Sequence, residues 1–106
     1  MRLIRLATAA AVAALLPISL LASEKEGAEV FKKSCAVCHG ADATGNTPVG
    51  KSMKIKDLHS AEVQGLSKAD MVKVVTDGKG KMTGFKSKLT AAQIDDVVSY
   101  IRTFKK

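Results

Sequence analysis

Cys35-Ala36-Val37-Cys38-His39 is the stretch that decides how this chain is read. Two cysteines three residues apart on a helix lie on one face, about a turn from each other. Each thiol can then form a thioether with one of the two vinyl groups of a haem, and the adjacent histidine is held against the iron. Cys-x-x-Cys-His is therefore a c-type haem attachment pattern. It predicts one covalently bound haem c, with Cys35 and Cys38 holding the cofactor and His39 ligating the metal. Other uses of a bare Cys-x-x-Cys fit less well. A structural zinc site needs four ligands, and the chain has only these two cysteines and one further histidine, His59. A thioredoxin-like redox pair needs a βαβ setting, and no strand pattern supplies one.

The N-terminus bears on where such a cofactor would be loaded. Arg2 and Arg5 precede an apolar run from Leu6 to Leu21, broken only by Thr8, Pro17 and Ser19. A charged start followed by an apolar stretch is the layout of a secretory signal peptide. Residues 1–22 are expected to be that segment, and residues 23–106 a single monohaem domain. Leu20 stands where a small residue is preferred before cleavage at Ala22-Ser23, which keeps an uncleaved membrane anchor as the alternative. The run is somewhat short of the ~20 residues of a full span. Export implies a periplasmic or otherwise extracytoplasmic location, where spare cysteines tend towards disulfides; here both are spent on the haem.

Without residues 1–22 the 106-residue chain is one small domain, of a size at which a core is marginal unless a metal, disulfide or cofactor staples it. Losing that segment removes two of the seventeen basic residues and none of the ten acidic ones, so the formal charge falls from +7 to +5. A basic surface suits nucleic acid, anionic membrane or acidic proteins. Export argues against nucleic acid, and with no Trp, one Tyr and three Phe the chain offers little for stacking on bases.

Periodicity predicts an all-α fold: three main helices and loops around one haem. The first runs from Glu24 to about Val37 and leads into the attachment pattern. Gly40 to Gly50 reads as a loop. Ser67 is placed as the N-cap of a second helix, with Asp70 three residues on, Met71, Val74 and Val75 as its apolar face and Gly78 at its end. Thr90-Ala91-Ala92-Gln93 is a capping box, and Ile94, Val97, Val98, Ile101 and Phe104 behind it follow helical spacing.

The far side of the iron needs a ligand or an open position. The candidates are Met53, Met71, Met82, His59 and several lysines. Met71 sits on an apolar helix face and reads as core; Met53 lies in a lysine-rich loop, and His59 reads as a surface histidine. Met82 falls in Gly78-Lys79-Gly80-Lys81-Met82-Thr83-Gly84-Phe85, where glycines let the backbone come close to a flat cofactor. It is the favoured sixth ligand, a soft thioether suited to haem iron.

From residue 24 to the C-terminus the chain resembles the class I cytochromes c, of the small bacterial or c6-like monohaem type. The likeness rests on Cys35-x-x-Cys38-His39, the Gly-Lys-Gly-Lys-Met82 loop and the closing Val97-Val98-Ser99-Tyr100-Ile101-Arg102 helix. It implies the cytochrome c fold, haem bonded to Cys35 and Cys38, and His39 and Met82 as axial ligands. Gly27 and Phe31 match the family's first-helix positions that cross the last helix near Val97 and Tyr100. Pro48 matches the proline whose carbonyl accepts a hydrogen bond from the ligand histidine. Thr83 departs from the family, which often has proline directly after the methionine.

The expected function is that of a one-electron carrier, not an enzyme: a filled coordination shell leaves no position for substrate. Lys79, Lys81, Lys86 and Lys88 flank Met82 and would steer the protein to redox partners with acidic docking patches. The expected form is a monomer. A haem enzyme or gas sensor with a labile sixth ligand, and a membrane-anchored cytochrome subunit, are the alternatives.

Overall fold

The sequence signals for helix starts are met in the computed structural model, which describes residues 18–105. In chain order the elements are α1 (Ile18–Ser34), α2 (Ala36–His39), α3 (Pro48–Met53), α4 (Ala61–Gln64), α5 (Lys68–Asp77), β1 (Gly78–Lys79), β2 (Met82–Thr83) and α6 (Ala91–Arg102). Both halves of the capping box form at the start of α6. The Gln93 N–H donates to Thr90 Oγ1 at 3.1 Å, and the Thr90 N–H donates to Gln93 Oε1 at 2.9 Å. The Asp70 N–H donates to Ser67 Oγ at 3.0 Å, fixing the start of α5.

The core is the crossing of α1 with α6, closed by α5. Val97 and Val98 are fully buried, and Phe31, Ile94, Ile101, Met71 and Val75 join them. Gly27 is what lets the two helices touch. A Cβ there would lie 2.0 Å from the Asp96 carbonyl oxygen and 2.8 Å from Tyr100 Cβ. The crossing expected near Val97 and Tyr100 is therefore observed.

Three features differ from the sequence reading. The first helix begins by Ile18 rather than Glu24 and stops at Ser34, with Cys35 as the joint between it and α2. Residues 1–17 of the expected signal segment lie outside the described residues; Ile18 to Ala22 form the first turns of α1. Two short helices stand where none is predicted: Thr47 caps α3 with Pro48 at its first turn, and Ser60 caps α4. The Met82 segment is a hairpin of two-residue strands, with Gly78 opposite Thr83 and Lys79 opposite Met82. Among the described residues no helix is long and apolar enough to cross a membrane.

Candidate haem-attachment site

The attachment pattern sits on a helix of one turn, too short to be stable by itself, so its position is set by its neighbours. Its start is tied to α1 by the Cys35 N–H, which donates to the Phe31 carbonyl at 2.9 Å. Its end is tied down by the loop that follows. Thr47 Oγ1 donates to the Cys38 carbonyl at 2.6 Å and accepts from the Gly50 N–H at 2.8 Å. The Gly45 N–H donates to the His39 carbonyl at 2.7 Å. The Cys38 and His39 carbonyls, which the helix leaves unmatched at its C-terminus, are thus taken up by the loop.

Thr47 and Gly50 were not foreseen as part of this site. A Cβ on Gly50 would meet the Gly45 carbonyl oxygen at 2.2 Å and the Cys38 carbonyl oxygen at 2.7 Å, so the loop closes on α2 only because that side chain is missing. The signal for Thr47 was present: Thr-Pro is a strong helix start, with the hydroxyl as cap and proline at the first helical position.

Cys35 and Cys38 are both free thiols, each partly exposed. Burial, with a lesser contribution from neighbouring Cys38, pushes the Cys35 thiol up to about 11. A thiol-exchange enzyme needs the opposite, a thiolate favoured near neutral pH. His39 lies beside Phe31, with ring centroids 6.4 Å apart. Burial lowers its pKa, favouring the neutral imidazole that a metal requires. Its Nδ1 is buried and has no hydrogen-bond partner. The bond expected from His39 to the Pro48 carbonyl is therefore absent; Pro48 instead opens α3, where its missing N–H costs nothing.

The other candidates are spread across the fold. Met71 is buried core, as read. Met53 ends α3 and is 38% exposed. His59 stacks on Phe104 at 4.7 Å, with its Nδ1 2.6 Å from Asp57 Oδ1. Met82 is half-buried on β2 and packs against the core cluster. Among the described residues no three His, Cys, Asp or Glu side chains converge as a metal site, so a cysteine-based zinc centre has too few ligands here. Surface hollows lie elsewhere: one is lined by Val72, Thr76, Lys86, Leu89, Ala91 and Ile94.

An imidazole that burial keeps neutral, next to two free thiols on one turn, fits a covalently tethered haem. A small all-α domain built round such a tether is a c-type cytochrome. Comparison with known proteins agrees. The family described as "Cytochrome C oxidase, cbb3-type, subunit III" matches residues 22–101. Cytochrome c6 of Nostoc sp. is 36% identical over 84 residues, covering 78% of this chain and 72% of that protein. The cbb3-type cytochrome c oxidase subunit FixP of Azorhizobium caulinodans is 34% identical over 80 residues, covering 74% of this chain but only 26% of the subunit. Among solved structures, the KustC0563 c-type cytochrome superposes with a TM-score of 0.67 at 31% identity, over 76% of this chain and 98% of that one. The chain belongs to the small class I c-type cytochromes. It carries a covalently bound c-type haem with iron and serves electron transport.

Proposed function

We propose that the protein is an exported one-electron carrier in which Cys35 and Cys38 hold the haem, and His39 and Met82 are the axial ligands. The observation that carries this reading is the placing of two free cysteines, Cys35 and Cys38, and the partly buried His39 on one short turn of helix. When bound, the haem supplies an iron that alternates between ferric and ferrous states. The chain's own residues decide what that iron is used for. Thioether ligation by Met82 favours the ferrous state over a nitrogen ligand and raises the reduction potential, as does burial among apolar side chains. With both axial positions taken, no substrate reaches the metal, and electron transfer between proteins is what remains.

Lys79, Lys81, Lys86 and Lys88 are all exposed around the Met82 hairpin. They form a basic rim that would steer acidic docking patches of redox partners to this face, in a salt-sensitive encounter. The working unit is a monomer in the periplasm or another extracytoplasmic space. It would touch the membrane only where Met1 to Ala22 is retained.

Absorption spectra of the oxidised and reduced protein, made with haem-attachment machinery, test this reading beside Met82→Ala. The wild type is expected to show a low-spin c-type spectrum with the sulfur-to-ferric charge-transfer band, and the variant to lose that band. A wild type without the band removes Met82 as ligand and points to His59 or to an open position, as in a haem enzyme or gas sensor. Absence of covalent haem overturns the whole assignment.

A further inference from the structure

All the aromatic side chains but Phe85, with the two histidines, fall in one connected group. The His39 ring is followed by Phe31 at 6.4 Å, Phe31 by Phe104 at 6.2 Å, and Phe104 by His59 at 4.7 Å. Every step lies within the range of about 4.5–7 Å at which aromatic rings touch. Tyr100 braces the middle of the file, 5.6 Å from Phe31 and 5.0 Å from Phe104. The file passes from the buried interior to the surface: Phe31 is 2% exposed, whereas the His59 side chain is 30% exposed. His59 is also held in place, since Asp57 Oδ1 accepts its backbone N–H at 2.8 Å and contacts its Nδ1 at 2.6 Å.

We propose that the His59 face is a second electron port, joined to the iron ligand His39 through Phe31 and Phe104. Electron tunnelling weakens steeply across empty gaps and much less through rings in contact. Packing alone would account for Phe31 and Phe104, but not for a polar ring clamped flat at the outer end. The step at this port is the passage of one electron from ferrous iron, which becomes ferric, to a one-electron acceptor docked at His59. No bond forms or breaks and no proton moves.

Charge separates this face from the hairpin. Around the port Lys56 pairs with Glu62, and the Asp57 carboxylate holds the His59 ring, so charges of both signs stand there and neither dominates. The hairpin instead presents Lys79, Lys81, Lys86 and Lys88. The partner suited to the His59 face is a redox protein with a neutral docking surface. Two ports of different charge would let the protein accept an electron on one face and pass it on from another while both partners stay bound.

The port rests on the His39 half of the ligation proposed above, and two readouts on the holoprotein test it. A ruthenium polypyridyl photo-oxidant is attached to His59 through the ring nitrogen that Asp57 does not hold, and the flash-induced electron-transfer rate is measured. Phe104→Leu is expected to slow it several-fold and Phe104→Tyr to restore it, with Phe104→Met repeating the test should leucine destabilise the fold. A rate as fast in the leucine and methionine variants as in the wild type overturns the port. The second readout is independent of electron transfer: amide signals are followed while paramagnetic chromium(III) probes are added. Hexacyanochromate is expected to broaden signals near the lysines, and uncharged chromium tris(acetylacetonate) those around His59 and Phe104. An uncharged probe that spares His59 likewise overturns it. Intact mass confirms the haem beforehand, and loss of Met82 ligation would show in the charge-transfer band while leaving this path in place.

Discussion

The α1–α6 crossing and the Met82 hairpin are stabilised in opposite ways. At the crossing Gly27 sits against the Asp96 carbonyl and Tyr100, over fully buried Val97 and Val98, and there is no free space. In the hairpin the strands are two residues long, Gly78 and Gly80 have φ of +83° and +57°, and the lysines point to water. Close-packed interiors resist any added atom, whereas a turn resists mainly a change of backbone preference. One region is fixed by protein packing. The other packs backbone on backbone at its base, where Gly78 and Gly84 leave no room for a Cβ, and is open at its tip, where Gly80 meets nothing within 4 Å; its side-chain packing is confined to the half-buried Met82 and Phe85.

Two alanine substitutions should break this contrast cleanly. Gly27→Ala places a Cβ within the van der Waals radius of the Asp96 carbonyl, so the helices must separate. The expected loss is about 3 kcal/mol, read as a lowered denaturant midpoint of the holoprotein; a loss under about 1 kcal/mol would mean the crossing yields more easily than close packing allows. Gly80→Ala meets nothing within 4 Å but keeps a left-handed φ. Its expected loss is smaller, about 1 kcal/mol, with the Met82 charge-transfer band unchanged. If Gly80→Ala proves the more damaging, the hairpin and not the crossing limits stability.

The smallest effect concerns the loop after the attachment pattern. The Thr44 hydroxyl donates to Asp42 Oδ1 at 2.8 Å, and the Thr44 backbone N–H at 3.2 Å. These bonds, the hydroxyl first, hold the Asp42 carboxyl below its ordinary value. A depressed carboxylate favours the folded state above its unfolded pKa, and the benefit fades as pH falls through the folded one. Thr44→Val should move the Asp42 titration, followed by NMR, upward, with no change in the haem spectrum. A titration that stays in place would assign the shift to the backbone alone.

How much could be read in advance follows the same division. The apolar spacing of Ile94, Val97, Val98 and Ile101 and the capping box at Thr90 fix α6, because helix periodicity and caps are local. Met71 as core and Gly78 as the end of α5 were legible for the same reason. The attachment pattern was legible because covalent chemistry demands particular residues at a particular spacing. Gly50 was not, since its importance lies in the Gly45 and Cys38 carbonyls that come to rest against it. Nor was the break at Cys35: nothing in Ser34-Cys35-Ala36 stops a helix by propensity. The expected bond to the Pro48 carbonyl is absent, since His39 Nδ1 has no partner, whereas the Thr47-Pro48 pair acts locally as the start of α3.

The half-buried position of Cys35 also bears on maturation. Its backbone N–H is bonded to Phe31, its side chain packs with the core, and burial disfavours its thiolate. A thiol in that state is poorly placed to meet a vinyl group brought by another protein. Thioether formation is expected to be faster before the last helix docks, while Cys35 is still in water. Folding then works as a lock closed after loading, and a chain that folds too soon would be expected to escape without its cofactor.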